Sequence, residues 1–100
     1  MIEKIVETEN HVLVDLSGII DEQEASKLRD SLLAYSNKGH NTFVINLEGV
    51  DYIDSIALGT FVAVNTRALK IGGKVIIVGL QGMVKELFEL TRLTKVFEIQ

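Results

Sequence analysis

One hundred residues with 47% hydrophobic and 24% charged side chains make a chain large enough for one modest core. Fourteen acidic against ten basic side chains leave a formal charge of −4, which argues against a nucleic-acid backbone as the main ligand. The absence of cysteine excludes disulfides, thiolate metal sites and a cysteine nucleophile.

No stretch approaches the ~20 apolar residues that span a bilayer. The opening residues Met1 to Glu7 lack the basic-then-apolar pattern of a secretion signal. The expectation is therefore a cytoplasmic protein with no membrane partner and no direct contact with nucleic acid.

Along the chain, Ile2 to Thr8 reads as a β-branched strand, and Glu9-Asn10 as a turn into a second strand, His11 to Ser17, which Gly18 ends. Asp21 then resembles a helix N-cap, with Glu24 three residues on in a capping-box arrangement. Ala25, Leu28, Leu32 and Tyr35 follow at helical spacing, and Asn37 to Asn41 closes that helix. Thr42 to Leu47 predicts a third strand running into an acidic loop, Glu48 to Asp54. A second helix is expected from Ser55 to Leu69, before the break at Gly72-Gly73. Lys74 to Gly79 is the most continuous apolar run and suits a central strand covered on both faces. After Gly82 a third helix would turn Met83, Val84, Leu87, Phe88 and Leu90 inward, and Lys95 to Ile99 predicts a last short strand. Strands alternating with helices imply right-handed crossovers, a mostly parallel sheet and functional loops at the carboxyl ends of strands. Two loops qualify, Gly18 to Asp21 and Gly49 to Ser55, and the expectation is that they lie side by side.

Asp54-Ser55 stands where a strand-to-loop segment becomes a helix. Free backbone N–H groups and the positive end of the helix dipole favour a phosphate there. Either residue could equally serve as a simple N-cap, and a cap serine can also be a modification site. Asp21, Asp51 and Asp54 would form an acidic cluster if the two loops met, either a divalent-metal site or solvated carboxylates. His11 and His40 have no spaced partner, and Gly72-Gly73 lacks the rest of a phosphate-binding loop. A receiver-type phosphoacceptor would need an acidic pair where this chain has Asp15-Leu16-Ser17-Gly18. No nucleophile, base and oxyanion donor set can be assembled, so no catalytic residue, metal or cofactor is expected.

Three local signatures resemble the STAS domain, and within it the bacterial anti-sigma factor antagonists. They are Leu16-Ser17-Gly18-Ile19-Ile20-Asp21, the run Val44 to Gly59 with its Asp54-Ser55 turn, and Gly72-Gly73-Lys74 followed by Val84 to Leu93. The resemblance covers nearly the whole chain, residues 1–100 as a single domain. It implies an α/β fold with a mixed, mostly parallel sheet of four to five strands and about three to four packed helices. It also implies an anti-sigma factor antagonist that binds an anti-sigma factor, itself a serine kinase using ATP, and so frees a sigma factor. Ser55 would be the phosphoacceptor, a serine phosphatase would reset the switch, and Asp21, Asp51 and Asp54 would lie in the recognition surface. The family turn has a small residue and then glycine where this chain has Ile56 and Ala57. Ile56 would thus be an extra interface contact or a staple onto the domain, and Ala57 would crowd the partner or slow phosphorylation. A non-phosphorylated interaction or scaffold module is the alternative that the resemblance also covers.

Overall fold

The structure is a computed structural model and describes residues 1–100. β1 (Ile2–Glu7) pairs antiparallel with β2 (Val12–Ile20). Every later strand runs parallel to its predecessor: β3 (Thr42–Ile53) beside β2, β4 (Lys74–Val78) beside β3, and β5 (Glu98–Ile99) beside β4. The connections are α1 (Glu22–Asn37), α2 (Ser55–Lys70), and α3 (Gly82–Leu90) with a 3₁₀ turn at Leu93–Lys95. The strand order in space is simply β1-β2-β3-β4-β5.

That order decides where the helices go. Three successive right-handed crossovers advancing in one direction place all three helices on the same face of the sheet. The core follows the alternation of the strands. Val12, Val14 and Leu16 of β2, Phe43, Ile45 and Leu47 of β3, and Val75 and Ile77 of β4 meet Ala25, Leu28 and Leu32 of α1. Phe61 of α2 and Val84 and Phe88 of α3 complete the same cluster, with the Phe97 ring tilted against that of Phe88, centroids 5.9 Å apart. Because the order never reverses, there is no topological switch point and no crevice between diverging strands. Whatever the carboxyl ends of the strands do, they do on a surface.

Several boundaries differ from the sequence expectation. β2 does not stop at Gly18 but continues to Ile20, and β3 continues through most of the expected acidic loop to Ile53. The β2–β3 register shifts between Asp15 and Ser17 and again between Gly18 and Ile19, and Gly18 adopts φ +71°. These irregularities are bulges, which re-aim a strand without ending it. They bury Leu47, Val50 and Ile53, a spacing of three that a strict two-residue strand period does not recognise. The central position belongs to β3. β4 is interior but lies one place toward the edge. On α3, Met83 (62% exposed) and Leu90 (82%) point outward, leaving Val84 and Phe88 as its buried residues. The final strand is only Glu98–Ile99, the preceding residues being taken up by the 3₁₀ turn. It is clipped to β4 by Lys74 Nζ, which donates to Glu98 Oε1 at 2.9 Å. That bond, with a second from Gln100, holds the exposed Glu98 carboxyl below its ordinary pKa.

Candidate functional site

The parallel pairing of β2 and β3 carries through to their last residues, Ile19 opposite Tyr52 and Ile20 opposite Ile53. One further bond, from Asp54 N to Ile20 O at 3.2 Å, locks the two strand exits together. Asp21 and Asp54 are therefore neighbours at one end of the sheet, as expected of two strands that a parallel ladder aligns.

Each aspartate caps the helix that follows it. Asp21 takes extended backbone geometry, and its Oδ1 accepts from Glu24 N at 2.9 Å. Glu24 does not return the bond to the cap residue; its carboxylate faces Lys27 and the amino group of Met1, each at 3.8 Å. The expected capping box is thus half formed. Asp54 is also extended, with Oδ1 accepting from Ala57 N at 2.7 Å and its carbonyl accepting from Leu58 N. Two cap candidates reduce to one: Asp54 caps α2. Ser55, the first helical residue, is exposed, and its hydroxyl is not consumed by the cap. The backbone N–H groups of the first turn and the positive end of the α2 dipole surround it.

The next positions separate sharply. Ile56 is 55% exposed and so does not staple the helix to the body of the domain. Ala57 is fully buried in the core. Its methyl group lies under the surface and cannot crowd a partner, which corrects the expectation drawn from the missing glycine. Asp51 stands exposed on β3 before Tyr52. The carboxylates do not converge on a cation: no three acidic or imidazole groups lie close enough to hold one.

Two residues that sequence reasoning passed over complete the site. Ile19 is 63% exposed and Tyr52 43% exposed, and they are register partners across β2 and β3. Ile56, at the start of α2, is a third exposed apolar residue at the same end of the domain, where Asp21, Asp51 and Asp54 also stand. An exposed aliphatic and aromatic patch with a charged rim has the make-up of a protein-binding surface. Alternation continued from Val12, Val14 and Leu16 turns Ile20 inward and Ile19 outward; ending the strand at Gly18 is what hid it. No helix of the chain is long and apolar enough to cross a membrane.

Comparison with known proteins identifies the family and the fold. The STAS domain family model matches residues 4–100. The anti-sigma-B factor antagonist of Listeria monocytogenes is 31% identical over 91 residues, which are 91% of this chain and 80% of that protein. Among solved structures, a Thermotoga maritima protein superposes with a TM-score of 0.87 at 23% identity, covering 96% of this chain and 83% of that one. The Bacillus cell fate determinant SpoIIAA in its phosphorylated form gives 0.77 at 17% identity, covering 97% and 89%. At those identities the two structures establish the fold alone.

Proposed function

The chain belongs to the STAS domain family, among the anti-sigma factor antagonists, and on that premise we propose that it is a partner-switching regulator of transcription. The unphosphorylated protein binds an anti-sigma factor, itself a serine kinase, through the patch around Ser55 and thereby releases a sigma factor. Phosphorylation of Ser55 from ATP by that kinase ends the binding, and a serine phosphatase restores it. The protein acts in the cytoplasm as a binding partner, with no catalysis of its own.

The observation that carries this reading is the division of labour at the start of α2. Asp54 caps the helix, leaving the Ser55 side chain exposed at the end of the domain that also carries exposed Ile19, Tyr52 and Ile56. A hydroxyl so placed is open to a kinase and central to the surface a partner would cover. That a protein of like fold, SpoIIAA, exists in a phosphorylated form lends the reading support.

Phosphorylation adds about −1.5 to −2 charges at pH 7. Placing that charge, unpaired, inside an interface costs about 2–5 kcal/mol or more, and each ~1.4 kcal/mol is tenfold in affinity. Calorimetric titration with the kinase-type anti-sigma factor of the same genome should find Ser55→Asp at least about tenfold weaker than wild type. Ser55→Ala should bind but gain no phosphate by intact mass after incubation with kinase and ATP. Equal affinity of the wild type and a confirmed phospho-Ser55 form would defeat the switch.

A further inference from the structure

Between the carboxyl-terminal halves of α1 and α2 lies a cavity of about 170 Å³. It opens beside Phe43, at the start of β3, whereas Ser55 follows the end of that strand. The cavity and the Ser55 patch therefore occupy opposite ends of the domain. The floor is made by Leu32, Phe43 and Ala68, all buried, and the walls include Val64 and Ile71. The pocket opens to solvent, and its volume, close to that of a cavity that accepts a benzene ring, suits one ring or a short branched chain.

The polar groups around this cavity are of one kind. Arg29, Arg67 and Ser36 line it, and no acidic side chain does. The chain has only three arginines, and two of them are here, in a protein with a net charge of −4. Arg29 has a carboxylate at 3.6 Å, that of exposed Asp30. Arg67 has none within ion-pair distance. Both arginines line the same opening, so an anion seated there has two guanidinium donors within its surroundings. Their planar donor forks match a carboxylate bidentately.

We propose that the α1–α2 cavity binds a small organic anion, an arylacetate-like carboxylate whose ring enters between the helices while its carboxylate meets Arg29, Arg67 and the Ser36 hydroxyl. The proposal stands apart from the role of Ser55 and would survive the failure of that role.

The test is a titration of isotopically labelled protein, followed by amide NMR, with phenylacetate and with its uncharged counterpart 2-phenylethanol. Phenylacetate should give saturable shifts confined to the segments 29–36, 43 and 63–71, and should bind at least about fivefold tighter than the alcohol, charge-assisted hydrogen bonds being the stronger kind. Arg67→Gln should erase most of that preference while leaving the spectrum folded. Ala63→Phe, at a position lining the cavity, should abolish the shifts from both compounds. Equal affinity for acid and alcohol, shifts that never saturate, or shifts centred elsewhere in the domain would overturn the proposal. Unchanged phenylacetate binding by Arg67→Gln would do the same, whether or not Ala63→Phe folds.

Discussion

At the start of α2, three consecutive residues do three different things, and only their local geometry tells them apart. Asp54 turns its carboxylate back onto Ala57 N, Ser55 faces solvent, and Ile56 adds an exposed aliphatic group. An N-cap aspartate is worth about 1 kcal/mol, while asparagine caps nearly as well without the charge. Asp54→Ala should therefore lower the melting temperature by roughly 4–8 °C for a domain of this size, whereas Asp54→Asn should leave it within about 2 °C. Thermal scans of the pair separate the helix-capping role from the charge. If binding to an anti-sigma factor falls in Asp54→Asn at unchanged melting temperature, the carboxylate belongs to the interface as well as to the cap. Much of this site was legible from residue types, because cap aspartates and helix-start serines have strong local preferences. Ala57 was not: whether a small helical residue faces partner or core depends on the twist of the strands beneath it.

The elements show where local pattern stops being enough. Helices α1 and α2 follow from their caps and apolar spacing, and the break at Gly72-Gly73 is equally plain. There a Cβ on Gly73 would fall 1.6 Å from Asn41 O, a clash that only glycine avoids. The end of β3 was hidden because its burial period changes from two to three after Leu47, and the end of β2 because Gly18, at φ +71°, reads as a terminator. Asn65 was hidden for a related reason. β5 pairs only with Ile76 and Ile77, so the edge of β4 before them lacks a partner strand. Asn65 of α2 fills that gap: its Oδ1 accepts from Val75 N at 3.3 Å, and its Nδ2 donates to Val96 O at 3.2 Å. It is the one buried polar side chain, and no sequence motif announces it. Asn65→Leu, similar in size, would strand a buried N–H and remove a carbonyl partner, at about 1–3 kcal/mol for each buried group left unsatisfied. Chemical denaturation should therefore show a loss of at least about 2 kcal/mol, with faster amide exchange at Val75 than in β2. A stability equal to wild type would mean that water or a shifted β5 replaces both bonds.

For the molecule as a whole, the question is how a switch at Ser55 can leave the rest of the domain alone. The fold keeps its core on one face of the sheet, whereas Ser55 stands at the strand exits with its side chain in solvent. A phosphate there meets two opposed effects. The start of α2 favours an anion by about 0.3–1 kcal/mol, an effect confined to the first turn. Against this stand the carboxylates of exposed Asp51 and half-buried Asp54 and a total charge already at −4. Repulsion between exposed charges is screened over about 8 Å at physiological salt, and pairs of this kind are worth about 0–1 kcal/mol. The two contributions nearly cancel. At roughly 4–8 °C per kcal/mol for a domain of this size, phospho-Ser55 protein should melt within about 4 °C of the unmodified form. Because the dipole term persists in salt less well than the cap bonds, raising ionic strength should narrow the difference further rather than reverse it. Amide NMR shifts on phosphorylation should be confined to residues around 19–22 and 51–58, with β1, β4 and the cavity between α1 and α2 unmoved. Shifts spread through the sheet, or a melting change beyond about 8 °C, would mean that phosphorylation acts by loosening the domain. In that event the loss of partner binding would have to be attributed to the altered fold and not to charge placed in an interface.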